Sequence, residues 1–340
     1  MRYLFFVSQN YSFEILRPIQ TEARQRGAEV KWLVYLDRIN TELFQPDEDY
    51  TRDAAEAVAF SPDAVFVPGN IVPKFLPGLK VEVFHGFEWK KKGHFRIRGC
   101  FDLYCTQGPF FTERFEQLAR QHGFFDVAET GWSKLDPLFC AKPLKVSNQN
   151  KPIILYAPTF SPALTSAKAL RNEIDRLSQS GEYHWLIKFH PKMPKSDVDL
   201  YKAMAHQHLE VIEVSEISRL LQTADLIVSD TSSIITEFLL LNKPAVTFNN
   251  AQPEPVLLNI TQAEQLAAAI REGLEPSPAR LATIKAYNRS IHPYQDGMSA
   301  SRILDAVTIR LTRGKDANKS LPANVLRNIK MRKHLGYWRP

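Results

Sequence analysis

A chain of 340 residues, 44% hydrophobic and 24% charged, marks a soluble, well-cored globular protein with room for two domains. No stretch approaches the roughly 18 to 20 apolar residues of a bilayer span. Three cysteines (Cys100, Cys105, Cys140) exclude a paired disulfide framework and lack metal-ligand spacing; their odd number suits a reducing cytoplasm, with all three as packing residues. The net charge of +6 is uneven, because Arg310 to Pro340 holds nine Lys/Arg against one Asp, a local +8 that leaves −2 for the remainder.

Met1-Arg2-Tyr3-Leu4-Phe5-Phe6-Val7 has the look of a signal peptide but is too short and turns polar at Ser8-Gln9-Asn10. It reads as a first buried strand, Tyr3 to Val7. A β-then-α rhythm follows: a helix over Glu14–Arg26, a strand over Val30–Tyr35, a helix over Thr51–Phe60, strands over Ala64–Val67, Val81–Phe84 and Phe101–Cys105, and a helix over Gly108–His122. Polar residues between Leu138 and Pro152 interrupt it and predict a domain boundary. The rhythm restarts with strands over Ile153–Tyr156, Trp185–Phe189, Leu209–Ile212, Leu226–Val228 and, last, Ala245–Phe248, interspersed with helices. Such alternation predicts α/β architecture: two doubly wound Rossmann-like domains, residues 1–140 and 151–310, facing across a cleft and followed by a basic tail, 311–340. Ligands then sit beyond the carboxyl ends of the strands.

Three polar clusters fall at such ends. His85-Gly86 follows Val81-Glu82-Val83-Phe84. Imidazole titrates near neutrality, and a positioned base contributes about 10² to 10⁴ in rate; the alternative is a loop histidine bonded to backbone. Lys188-Phe189-His190-Pro191-Lys192 puts Lys188 and His190 on one side of an extended chain that Pro191 stops. The pair suits a diphosphate, or else a solvated basic turn.

The third cluster is Ser229-Asp230-Thr231-Ser232-Ser233, between the strand ending at Val228 and a helical segment containing Ile234, Ile235 and Phe238. A helix N-terminus with Thr231, Ser232 and Ser233 hydroxyls beside it makes a phosphate cradle, and Glu237, a turn further on, is placed to grip ribose hydroxyls. An ordinary helix cap is the alternative. Thr159, in Tyr156-Ala157-Pro158-Thr159-Phe160, adds a strand-end hydroxyl, and Ser299, Ser301 and Arg302 form a late polar turn that either meets an anion or starts a helix. Asp197-Val198-Asp199 matches a bare metal-binding D-x-D but falls at an expected helix start, where acidic residues favour the dipole. The sequence has no Walker A or GxGxxG loop.

In order, His85-Gly86 with its following lysines, Tyr156 to Thr159, the lysine-to-His190-Pro191 element, Ser229 to Ser233, and Asp296-Gly297 with Ser301-Arg302 resemble the CDP-glycerol glycerophosphotransferase family of teichoic-acid and capsule synthesis. The resemblance spans about residues 80 to 310. It implies a GT-B fold without a catalytic metal or cofactor, the nucleotide in the C-terminal domain and the acceptor near the N-terminal one. By position, His85 resembles the family's base, His190 its diphosphate-binding histidine, Ser232 and Ser233 its phosphate-binding pair, and Arg302 a late phosphate contact; Gly86, Thr159, Lys188 and Thr231 join them as substrate-binding candidates. The chain departs in having Phe87-Glu88-Trp89 where Thr-Pro is usual, Phe189 for a proline, and Thr231 for an aromatic residue.

The implied reaction passes glycerol phosphate, or a related polyol phosphate, from a CDP-linked donor to a hydroxyl of a lipid-linked or saccharide acceptor. The alternatives are a GT-B glycosyltransferase using a CMP- or UDP-sugar and a nucleotide-sugar epimerase. In the tail, Val325, Leu326, Ile329 and Met331 interleave with Arg327, Lys330, Arg332 and Lys333, an amphipathic pattern expected to lie outside the folded core on anionic lipid, at the inner face of the cell membrane. No nucleic-acid-binding motif is recognisable.

Overall fold

The computed structural model describes residues 1–87, 93–146, 150–213, 216–314 and 321–338. Glu88, Trp89 and the Lys90–Lys92 run, residues 147–149 of the expected linker, residues 214–215, and residues 315–320 and 339–340 of the tail lie outside the described residues. Two units make up the chain, one formed by Met1–Pro137 with Ser290–Pro340 and the other by Leu138–Arg289.

In the first unit the described residues form a seven-stranded parallel sheet: β1 (Arg2–Val7), β2 (Glu29–Val34), β3 (Tyr50–Thr51), β4 (Ala64–Val67), β5 (Leu79–Glu82), β6 (Leu103–Thr106) and β7 (Asp126–Glu129). The spatial order is β3-β2-β1-β4-β5-β6-β7, so the winding reverses between β1 and β4. A parallel sheet covered on both faces needs strands apolar on both faces, and Leu4-Phe5-Phe6-Val7 and Ala64-Val65-Phe66-Val67 are buried throughout. Phe5 meets Trp32 and Phe66 edge to face, with ring centroids 5.0 and 5.5 Å apart, the arrangement aromatic quadrupoles favour.

The second unit has six parallel strands among its described residues: β8 (Ile153–Tyr156), β9 (His184–Ile187), β10 (Leu209–Val211), β11 (Leu226–Ser229), β12 (Ala245–Phe248) and β13 (Leu258–Ile260), ordered β10-β9-β8-β11-β12-β13. Its reversal lies between β8 and β11. Tyr156 registers with Ile187 on one side and Val228 on the other. The three chains therefore leave the sheet level with one another, and the residues that follow form one edge.

Three short strands escape the sequence reading: β3, β7 and β13. Each is an edge strand. With a neighbour on one side only, an edge tolerates polar residues, and Asp126-Val127-Ala128-Glu129 is half-buried along its whole length.

The expected second boundary is corrected. Residues 290–310 belong to the first unit, where helix Ser299–Thr312 packs on helix Ser12–Gln25 and on β5 and β6. Gly108 shows how closely: a Cβ there would come within 2.4 Å of the Ile291 carbonyl oxygen, so no side chain fits. The tail is corrected as well. Helix Val325–Leu335 packs onto this unit, burying Met331 and Tyr337. Tyr337 stacks on Phe75 at 4.6 Å, Arg332 lies over the same ring, and the Asn324 amide donates to the Gly99 carbonyl at 2.8 Å. Val325, Leu326, Ile329 and Trp338 remain exposed. Among the described residues no helix is long and apolar enough to cross a membrane. Of the cysteines, Cys100 and Cys105 are packing residues, but Cys140 is exposed.

Candidate active site

In the second unit the ends of β9, β8 and β11 carry seven of the expected residues. Asp230, directly after β11, organises them. Its carboxylate is fully buried and accepts from the Thr159 N–H at 2.9 Å, the Ser166 N–H and hydroxyl at 2.9 Å each, and the Thr231 N–H at 2.7 Å. Four donors satisfy a charge that would otherwise be costly to bury. They tie the loop after β8 to the turn after β11, across the point where the winding reverses.

Beyond Asp230, the Thr231 hydroxyl oxygen accepts from the Ala251 N–H at 3.0 Å. Ser232 is half-buried and Ser233 exposed, with carbonyls that accept the Ile235 and Thr236 N–H groups. Among the described residues, the hydroxyls and N–H groups of both serines have no partner, and Ser233 makes no side-chain cap on helix Ile234–Leu239. Two hydroxyls and consecutive amides are thus free for an anion. Glu237 lies buried one turn along that helix.

After β9, Lys188 is half-buried, and its N–H bonds the Tyr156 carbonyl at 2.9 Å. His190 is exposed. Its ring packs on Phe160 of the β8 loop, 4.4 Å between centroids, and the Lys192 ammonium lies 5.5 Å from the centre of the same Phe160 ring. The Lys192 N–H donates to His190 Nδ1 at 3.1 Å. Nδ1 must then hold a lone pair, which places the proton of the neutral ring on Nε2. Partial desolvation of the ring, and secondarily the Lys192 charge, lower the His190 pKa and favour that neutral donor form.

In the first unit, His85 stands in a turn after β5. Its Nδ1 lies 3.1 Å from the Pro68 carbonyl oxygen, at the end of neighbouring β4, and its ring stacks on Tyr11 beyond β1. A carbonyl only accepts, so Nδ1 carries the proton and Nε2 holds a bare lone pair. The histidine is exposed. It is a loop histidine bonded to backbone, and that bond leaves the ring's other nitrogen, Nε2, able to accept a proton. Phe84, one residue before, has φ +57°, a left-handed conformation that for a bulky residue costs roughly 1–3 kcal/mol. The Gly86 carbonyl accepts from Gln107 Nε2 at 2.9 Å and the Phe84 carbonyl from Trp132 Nε1 at 3.3 Å.

Ser301 and Arg302 fall in the first unit. The Ser301 hydroxyl accepts from Arg26 at 2.6 Å; Arg302 pairs with Asp296 and lies 4.0 Å over the Tyr294 ring. The start of their helix is already capped: Asp136 accepts from the Ser299 and Ala300 N–H groups at 2.9 and 2.7 Å. Burial pushes the Asp136 carboxyl up from its ordinary value, against the pull of those two amides. His292 is wholly buried and accepts the Trp132 N–H at 2.9 Å; burial lowers its pKa to about 4. The D-x-D candidate takes its helix role, with Asp197 in the first turn of helix Lys195–Ala203.

Asp230, Gln107 and Pro68 are the residues that the sequence reading passed over. Asp230 was visible inside the serine-rich motif, where an acid between β-strand and hydroxyls signals an acceptor for backbone N–H groups. A backbone carbonyl such as that of Pro68 leaves no trace in sequence.

Solved structures first define the class. The chain matches the wall teichoic acid polymerase TagF, in a variant soaked with CDPG, with TM-score 0.63 at 15% identity over 92% of this chain and 89% of that one. It matches a UDP-N-acetylglucosamine 2-epimerase with TM-score 0.61 at 14% identity over 93% and 97%. This is the GT-B class of two Rossmann-like units. The family model for CDP-glycerol:poly(glycerophosphate) glycerophosphotransferase matches residues 107–309, and the chain belongs to that family. Two relatives agree: the teichoic acid poly(ribitol-phosphate) polymerase of Bacillus spizizenii, 30% identical over 39% of this chain, and the teichoic acid glycerol-phosphate primase of Bacillus subtilis, 29% identical over 33%. The matches span 21% and 30% of those relatives' own lengths.

Proposed function

We propose that the protein transfers glycerol phosphate, or a related polyol phosphate, from a CDP-linked donor to a hydroxyl of a lipid-linked or saccharide acceptor in cell-surface polymer synthesis. The observation that carries the reading is the pair of free serines, Ser232 and Ser233, at the strand-end edge that also bears the Nε2–H of His190. That edge offers donors suited to a diphosphate, and the family supplies the diphosphate's identity. The acceptor hydroxyl loses its proton to His85 Nε2 as its oxygen attacks the β-phosphorus. The bond from that phosphorus to the bridging oxygen breaks, and CMP leaves with the electron pair. Lys188, His190 and the two serines stabilise charge on the phosphates, which phosphoryl transfer needs more than covalent help. Thr159 and Thr231 shape the edge through their backbone bonds to Asp230, Gly86 gives the base its turn, and Glu237 is assigned to the ribose. Ser301 and Arg302 are left out, because their polar atoms are engaged elsewhere.

A donor screen tests this. CDP-glycerol, CDP-ribitol, a CMP-sugar and UDP-N-acetylglucosamine are offered with saccharide and lipid-linked acceptors, with ³¹P NMR of the products. A new phosphodiester with CMP release from a CDP-polyol is expected. A glycosidic product, or epimerised UDP-sugar without acceptor, would replace the reading; fold likeness to an epimerase does not separate the two.

The exposed face of helix Val325–Leu335 supports work at an anionic membrane surface, which we assign to the inner face of the cell membrane. Leu326, 85% exposed, and Ile329 lie beside Lys330 and Lys333 on that face, and each surface cation is worth about 1 kcal/mol near such lipid. Leu326→Glu with Ile329→Glu leaves the packed Met331 face untouched. It is expected to abolish cosedimentation with phosphatidylglycerol vesicles; unchanged cosedimentation removes the helix from that role.

A further inference from the structure

We propose that Gln107 is a positioning residue for His85: its amide holds the turn that aims the imidazole, and it acts on turnover rather than on stability. The inference rests on His85 being the base.

The turn Phe84-His85-Gly86 does not hold itself. Phe84 occupies a left-handed conformation that a bulky side chain rarely adopts, and a strained backbone persists only where its surroundings fix it. Three long-range bonds do so here. Trp132 Nε1 donates to the Phe84 carbonyl, His85 Nδ1 to the Pro68 carbonyl, and Gln107 Nε2 to the Gly86 carbonyl, at 3.3, 3.1 and 2.9 Å. They clamp the residue before the histidine, the histidine and the residue after it. The anchors sit on rigid ground: Pro68 directly follows β4, Gln107 directly follows β6, and β5 lies between those strands.

Gln107 stands out among the three. Its side chain is completely buried, yet Oε1 has no hydrogen-bond partner among the described residues. The amide cannot be turned round to relieve this, since Oε1 would then face the Gly86 carbonyl, acceptor against acceptor. A buried amide satisfied at one end only is a poor choice for stability, since its Oε1 carries an uncompensated cost of desolvation. What the amide provides is the hold on Gly86. Loss of that hold frees one end of the clamp, and a misplacement of about 1 Å costs on the order of a hundredfold in rate.

The test is Gln107→Met, which keeps volume and removes the donor. Long-range ¹⁵N–¹H NMR on His85 of the full-length protein reports the tautomer without any substrate. A single Nδ1-protonated form is expected in the wild type and a mixture in the variant. Thermal unfolding is expected unchanged or raised, and turnover with CDP-glycerol reduced ten- to a hundredfold with the donor KM within about twofold. A variant that keeps the single tautomer overturns the proposal, as does one whose turnover falls only in step with its stability. If the wild type turns over no CDP-linked donor, the proposed reaction fails, while the tautomer comparison still decides whether Gln107 positions His85.

Discussion

His85 and His190 each lie in the turn beyond a parallel strand of their own unit, and each is bonded through Nδ1 to a single backbone group 3.1 Å away. The polarity of the bond is reversed. Pro68 presents a carbonyl, which takes the Nδ1 proton and leaves Nε2 as a lone pair; Lys192 presents an N–H, which takes the Nδ1 lone pair and leaves Nε2 as a donor. One residue type presents a lone pair at Nε2 in the first unit and an N–H there in the second. The difference lies in the main chain around each ring, so a histidine's role at a strand end follows from its second nitrogen before any ligand is considered.

Glutamine separates the roles, since its amide can offer an N–H toward a phosphate but cannot take up a proton near neutrality. His85→Gln is expected to lower CMP release by about 10² to 10⁴ with the fold intact. His190→Gln, which keeps a donor, is expected to lose at most about tenfold, no more than the worth of one hydrogen bond at roughly 1.4 kcal/mol. Equal losses at the two positions would break the comparison.

The units also differ in what organises the strand ends. In the second it is the single carboxylate of Asp230, with its four donors. Asp230→Asn turns an NH₂ group toward two or more of those donors and strands them. The expected loss is about 3 kcal/mol in urea unfolding, which would place Asp230 in the architecture of the site rather than among the groups that meet substrate. A stability change below about 0.5 kcal/mol would show that the loop after β8 holds its place by other means.

How far the sequence foretold this depends on which atoms do the work. Central strands were legible because burial on both faces demands unbroken apolar runs, and Ala64–Val67, Ile153–Tyr156 and Ala245–Phe248 lie where the pattern puts them. Edge strands were not, as Asp126–Glu129 shows. His85, His190 and the serine pair could be singled out because turn chemistry and strand ends are written in residue types. Their tautomers could not, being fixed by backbone atoms far along the chain. The placement of Ser301 and Arg302 failed for a related reason: the contacts that seat residues 290–310 on the first unit, Ile291 against Gly108 and Asp136 on the Ser299 amide, join positions well over a hundred residues apart.

His292 extends the comparison to a histidine with no role at a strand end. Its Nε2 accepts the Trp132 N–H, and burial holds its pKa at about 4. The unfolded chain takes up this proton near pH 6.5, well before the folded one. The stability associated with the neutral ring is therefore complete above pH 6.5 and is lost progressively as pH falls toward 4. That amounts to about 2–3 kcal/mol at pH 4.5. His292→Gln keeps an acceptor for Trp132 and removes the titration. The stability gap between pH 7 and pH 4.5 is expected to narrow by that amount in the variant, and an unchanged gap would assign the acid sensitivity to other groups.

The smallest effects concern the hydroxyls, where the contrast is between neighbours in one turn. Thr231 gives its hydroxyl oxygen to the Ala251 N–H, whereas Ser232 and Ser233 make no such bond among the described residues. Thr231→Ala is expected to cost about 1 kcal/mol of stability, the net worth of a hydrogen bond. Ser232→Ala and Ser233→Ala are each expected to leave stability within about 0.5 kcal/mol and to lower kcat/KM for the CDP-linked donor three- to tenfold. A hydroxyl that contributes nothing to the fold but something to the donor is what a phosphate contact requires. If either serine variant instead loses stability with kcat/KM unchanged, that hydroxyl is a helix cap, and the donor's diphosphate is held by the Ser232 and Ser233 backbone amides and His190 without it.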